Sequence, residues 1–142
     1  MPASSTLKVK IQIDGAARGN PGPAGAGIAL TDARGRKFKE LAVYLGEATN
    51  NVAETCALIL GLQEAMRIGS RQVKVFTDSE LLAKQFNGEY RVKDPVIRLL
   101  SFFAKRLAKR IGDCRVTHVP REQNKQADRL ANAALDRNPE LF

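Results

Sequence analysis

Two cysteines, one histidine and no aliphatic run longer than Ala57–Leu60 are all that this 142-residue chain offers of three common architectural signals. Cys56 and Cys114 form no CxxC, and His118 alone cannot complete a zinc constellation, so zinc-finger and disulfide-scaffold designs are excluded. Both thiols read as small core residues of a reduced, cytoplasmic protein. Four aliphatic residues in a row fall far short of the roughly 20 that a membrane helix needs. The leading MPASST lacks the basic-then-apolar order of a signal peptide, so a soluble, unsecreted protein with no membrane partner is expected. Acids are scarce too. There are 15 Asp and Glu against 23 Lys and Arg, a net charge of +8. Residues 91–110 alone hold 7 basic groups and 1 acid, so most of the excess lies in one segment, as on a docking surface for a polyanion.

The length fits one domain, expected over 7–138 between a flexible N-terminal tail at 1–6 and a C-terminal tail at 139–142. Leu7, Val9, Ile11 and Ile13 alternate with Lys8, Lys10 and Gln12, the period-2 signature of a strand, which delivers Asp14 at its end before Gly15 stops it. GNPGPAGAG (19–27) holds too much Gly and Pro for a helix and reads as a turn feeding a second strand to about Thr31. A hairpin turn at Asp32–Gly35 and a third strand through Leu45 complete a meander. From Asn51 an apolar run closed by Gly69 predicts a buried helix, with Asn51 and Glu54 spaced as a capping box. A short strand through Val73 and Val75 ends at Thr77 and Asp78, and Ser79 can cap a helix stopping near Gly88. Asp94 and Pro95 open another helix, with Val96, Leu100, Phe103, Leu107 and Ile111 expected on its buried face and Arg98, Lys105 and Lys109 opposite. A last strand (114–119) and a helix from about Lys125 to Arg137 give an α/β order abbreviated βββαβαβα.

Ligands of α/β sheets gather beyond the carboxyl ends of parallel strands, and Asp14 and Asp78 end the first and fourth. On neighbouring strands their Cα atoms would lie about 5 Å apart. Two carboxylates that close require either a shared proton or a cation between them, and without zinc-type ligands a hard ion such as Mg²⁺ or Mn²⁺ is the natural choice. Glu54 interrupts an apolar helix, where an unpartnered charge is expensive, and Asp128 lies among Ala127, Leu130 and Ala131. Four such acids in a cationic protein suggest metal-assisted chemistry on phosphates.

Four blocks carry a family likeness: IDGAARGNPGPAGAG from Ile13, TNNVAE from Thr49, TDS at 77–79 and HVPREQNKQADRLAN from His118. Together they closely resemble type-1 ribonuclease H over about residues 7–136. The resemblance implies a five-stranded mixed sheet of order 3-2-1-4-5 flanked by helices. It also implies two Mg²⁺ ions, with Mn²⁺ able to substitute, on Asp14, Glu54, Asp78 and Asp128. The implied activity is endonucleolytic hydrolysis of the RNA strand of RNA/DNA hybrids by a monomer without an obligate protein partner, leaving 5′-phosphate and 3′-hydroxyl ends. Gly15, Asn20, Asn50, Asn51 and Glu80 become candidates for reading the hybrid, with Thr49 on a phosphate, and the GPAGAG turn a place of close backbone approach to nucleic acid. This chain departs from well-known members in lacking an extra basic segment before Pro95, so Arg98, Lys105 and Lys109 are expected to hold substrate instead. His118 has the spacing of the loop histidine that assists proton transfer, yet stands in strand context, which leaves Arg121 as the alternative. Competing readings are a non-catalytic hybrid-binding module, against which all four acids stand, and an integrase-like transferase, which needs appendages this chain does not show.

Overall fold

The computed structural model describes residues 4–137. Its strands are β1 (Lys8–Ala17), β2 (Gly22–Thr31), β3 (Lys37–Ala48), β4 (Gln72–Thr77) and β5 (Asp113–His118). Its helices are α1 (Asn50–Arg67), α2 (Glu80–Phe86), α3 (Pro95–Ile111) and α4 (Lys125–Arg137). The sheet order is β3-β2-β1-β4-β5, antiparallel through β3, β2 and β1 and parallel from β1 to β4 and β5, as the resemblance implies. The abbreviation βββαβαβα counts one helix between the last two strands, whereas the structure has both α2 and α3 there. β1 does not stop at Gly15 but runs two residues further, paired through Ala17↔Ala24.

Period-2 alternation sends Ile11 and Ile13 to the face covered by α1, where Gly61 lets the helix approach their Cγ2 atoms. The core on this side includes Val9, Ile28, Leu30, Leu58, Leu62, Val73 and Val75, each at most 3% exposed. Burial of such a side chain contributes about 1.5–3 kcal/mol. On the opposite face lies α4, over β2. A Cβ on Gly27 would collide with the Ala127 carbonyl, and one on Gly25 would lie 2.7 Å from the Ala131 carbonyl oxygen. The Gly-rich strand therefore admits a helix backbone, and the expected close approach to nucleic acid at these glycines is corrected to helix packing.

Asp94 caps α3 by accepting from Val96 and Ile97 N–H groups, with Pro95 at the first position, as its sequence predicts. Its buried face differs from the expectation. Ile97, Ala104, Ala108 and Ile111 are buried, while Val96 and Phe103 are about half exposed. α3 lies against α1, and close helix packing selects alanines over phenylalanines at the seam. Residues 4–6, expected as flexible tail, form a 3₁₀ turn: Ser5 O accepts from Ala33 N–H and Thr6 O from the Ser70 hydroxyl. The tails expected at 1–3 and 139–142 fall outside the described residues.

Candidate active site

The site begins with a missing side chain. Any Cβ on Gly15 would strike the backbone at Ala53 and Glu54, so the first turn of α1 rests directly on β1 and brings Glu54 beside Asp14. Thr49, not Asn51, caps α1, accepting from Val52 N–H at 3.2 Å, so the expected Asn51–Glu54 capping box is absent and Glu54 is free to face the cleft. Parallel pairing of Ile13 with Thr77 places Asp78 at the end of the adjacent strand. On the other face the buried Asn124 donates from Nδ2 to the Ile13 carbonyl at 2.8 Å, fixing the start of α4 and thereby Asp128.

Asp14, Glu54 and Asp78 each present a carboxylate oxygen within 4.8 Å of the others. With Gly15, Ala16, Asn50, Arg121 and Asp128 they line a cleft of about 310 Å³. Asp14 is 7% exposed. Burial first, then the negative charge of Asp78 and the neighbouring Asp128 and Glu54, push its carboxyl up to about 8. Burial likewise raises Glu54 to about 7, opposed by a hydrogen bond with Ser79. Ser79 Oγ also accepts from Leu82 N–H to cap α2. The lining offers a single cation, Arg121, whose guanidinium lies 3.7 Å from Asp128. An all-oxygen donor set, with Asp14 and Glu54 driven toward protonation by burial and by neighbouring carboxylates, Asp78 acting on both, fits hard divalent cations.

Other expected site residues are distributed unevenly. Asn50 Oδ1 accepts from Ala17 N–H at 2.8 Å, and Asn50 N–H donates to Asn20 Oδ1 at 3.0 Å, a bracket joining the end of β1 to the head of α1. Asn51 Oδ1 is buried without a partner. Glu80, in the first turn of α2, pairs with Lys84 at 2.9 Å. His118 ends β5, exposed and outside the residues lining the cleft, near Glu80, whose carboxyl is held below its usual range first by the Lys84 hydrogen bond and charge and least by His118. Arg98 and Lys105 border a separate concavity of about 300 Å³ with Tyr90, Arg91 and Phe102, and Lys109 is exposed one turn beyond Lys105. Asn124 and the second bond of Ser79 are positioning contacts that the sequence reading missed. Only the order of Asn before a helix that carries an acid signals the first. Both cysteines are free and half-buried, and burial raises the Cys114 thiol to about 11.

Strand order and a carboxylate cleft at the ends of the two central parallel strands define a ribonuclease H-like fold. A family model described as reverse transcriptase-like matches residues 12–134. The crystal structure of RNase H1 from the halophilic archaeon Halobacterium salinarum is 42% identical with a TM-score of 0.88, covering 91% of this chain and 98% of that one. LC11-RNase H1 in complex with RNA/DNA hybrid is 40% identical with a TM-score of 0.86, over 91% and 97%. A ribonuclease H of Lachnoclostridium phytofermentans is 32% identical over 92% of this chain and 93% of its own length. The chain belongs to the ribonuclease H family. It spans 36% of the length of the mycobacterial curated relatives it matches at 42% identity, and 65% of the Halobacterium one.

Proposed function

We propose that this protein hydrolyses the RNA strand of RNA/DNA hybrids endonucleolytically, leaving 5′-phosphate and 3′-hydroxyl ends. The observation that carries the reading is the set of three carboxylates from β1, α1 and the residue following β4, held within 4.8 Å in a cleft where Arg121 is the one cationic side chain among the described lining residues. Support also comes from the LC11 relative, whose structure is a complex with RNA/DNA hybrid. Asp14, Glu54, Asp78 and Asp128 would hold two Mg²⁺ ions, with Mn²⁺ able to substitute. When bound, such ions lower the pKa of an attacking water and stabilise charge on the leaving oxygen. Water attacks phosphorus, the bond to the 3′ oxygen breaks, and that oxygen takes up a proton.

The chain's own groups do the placing. Gly15 leaves the floor of the cleft free of a side chain, and the Asn20–Asn50–Ala17 bracket holds the adjoining turn for contact with the hybrid. Thr49 and Asn51 flank this turn, Glu80 stands at the head of α2, and Arg98, Lys105 and Lys109 supply phosphate contacts. Arg121, which lines the cleft, is the group we assign to the leaving oxygen, in preference to His118, which does not line it. A monomer without an obligate protein partner is the state we propose, in a cytoplasmic setting with which free half-buried thiols accord. Among the described residues no helix is long and apolar enough to cross a membrane. Incubation with a hybrid labelled on the RNA strand tests the proposal: Mg²⁺-dependent cleavage of RNA and none of duplex DNA is expected. Cleavage surviving exhaustive chelation would remove the metal mechanism. Tight binding without cleavage would leave the non-catalytic hybrid-binding module.

A further inference from the structure

A second cationic surface lies on the sheet itself, away from α3 and at the other end of β1 from the carboxylates. Lys10 pairs with Lys74 across β1 and β4, and Lys74 with Arg115 across β4 and β5, so three cations stand side by side on one face. This is the face that α4 covers elsewhere, packing chiefly over β2, β1 and β3. All three residues are exposed. Like charges directly opposite on neighbouring strands destabilise a sheet, so the row works against the fold. The nearest acids leave it cationic. Asp32 is held by the Arg34 and Arg36 N–H groups and the Arg36 guanidinium, and Asp113 by Gln72 and, at 3.5 Å, by Arg115, an ion pair that offsets one charge of the row and leaves those of Lys10 and Lys74. Among the described residues, neither Lys10 nor Lys74 is in an ion pair.

Lys10 and Lys74 border a concavity of about 670 Å³ between the sheet and the turn at Asp32–Gly35, to which Lys8 and Arg34 add further positive charge, and Lys74 and Arg115 border a smaller one of about 170 Å³ beside it. One register step toward the carboxylates, on the same face, lie Gln12, the half-buried Phe76 and the exposed Thr117. Cations about 4.8 Å apart across strands, beside polar side chains and an aromatic ring, match the requirements of a single nucleic-acid strand: phosphate neutralisation with stacking that tolerates any base. We propose that this open sheet face binds single-stranded nucleic acid through its phosphates, at a site separate from the carboxylate cleft and from Arg98, Lys105 and Lys109.

The test is fluorescence anisotropy with a labelled 30-nucleotide oligothymidylate in chelator, where hydrolysis plays no part. Wild-type protein should bind it in a salt-dependent manner. Lys10→Gln/Lys74→Gln/Arg115→Gln should weaken binding on the order of 10- to 100-fold and flatten the plot of log K against log salt by about 2 units, about 0.7 for each lost contact. Lys10→Arg/Lys74→Arg keeps the charge and should bind as wild type, which separates lost contacts from lost folding. Arg98→Gln/Lys105→Gln/Lys109→Gln should leave the oligothymidylate slope within about half a unit. Unchanged binding by the sheet-face triple variant overturns the proposal. So does equal loss of blunt-ended hybrid binding, which would fold this face into the hybrid site. Failure of wild type to bind oligothymidylate while binding polyglutamate also overturns it, in favour of an acidic protein. A protein that cleaves no hybrid yet shows the expected oligothymidylate losses would fail the proposed function and keep this one.

Discussion

Asp14, on β1, and Asp32, just beyond the end of its hairpin partner β2, are almost equally hidden at 7% and 6% exposure and are opposite in chemistry. Asp32, just past β2, accepts from the N–H groups of Arg34 and Arg36 at 2.9 Å each and from Arg36 Nε at 3.2 Å. Those donors, the Arg36 backbone foremost, hold its carboxyl below the usual range. Asp14 meets carboxylates instead of donors, and burial raises it to about 8. Hiding a carboxylate is therefore tolerable wherever N–H groups converge on it, and Asp32 needs no explanation beyond its turn. Among the described residues no N–H groups converge on Asp14 in this way, and a buried carboxyl so placed among other acids is typical of a functional site.

The comparison breaks most clearly in activity. Asp14→Asn or Asp78→Asn should lower kcat for hybrid hydrolysis by several orders of magnitude while hybrid binding persists, because each removes ligand charge without touching phosphate contacts. Near-normal turnover in either variant would put the site elsewhere. A smaller effect separates the two candidates beside the cleft: Arg121→Ala should lose on the order of 10- to 1000-fold in kcat, and His118→Ala should change little. Equal, small losses would remove Arg121 from the leaving-group role.

For Asp32 the expectation is reversed. Asp32→Ala should leave turnover intact and destabilise the protein by about 1–3 kcal/mol, the effect of stranding two backbone donors, read from urea unfolding. The gentlest contrast is with pH. Asp14 and Glu54 bind protons in the folded, cation-free protein that the unfolded chain releases, so their contribution is fully present below about pH 4 and is lost as pH rises toward about 7 for Glu54 and 8 for Asp14. Asp32, with its lowered value, contributes above the ordinary carboxylate range and loses that contribution only on further acidification. In chelator, Tm should therefore fall between pH 5 and pH 8, by about 2–4 °C for each kcal/mol lost. Asp14→Asn should shrink the fall and millimolar Mg²⁺ should reverse it at pH 8. A flat profile in chelator would show that the two carboxyls do not carry the protons assigned to them.

What the sequence discloses follows the range of the interactions involved. β1 is legible because Leu7, Val9, Ile11 and Ile13 alternate, and the α3 cap because Asp94–Pro95 acts locally. The α3 seam is not, since counting apolar residues favours Phe103 where contact with α1 favours Ala104 and Ala108. Thr49 took the cap assigned to Asn51 because three consecutive polar residues, Thr49, Asn50 and Asn51, compete for one role and only the entering backbone decides. The four acids could be singled out by strand ends and family likeness. Their mutual distances could not, since Gly15 and Asn124 act through backbone contacts with residues far along the chain.

The bond from Asn124 to the Ile13 carbonyl spans 111 positions, and the Arg18–Asp136 pair spans 118. During synthesis β1 to β4 and α1 exist well before α4, and the earlier acids can meet while the fourth is still being made. Loops this long close late and slowly. The cleft is thus completed only once α4 has left the ribosome, so a product ending just before Asn124 keeps the other three acids and the basic face of α3 but lacks the fourth acid.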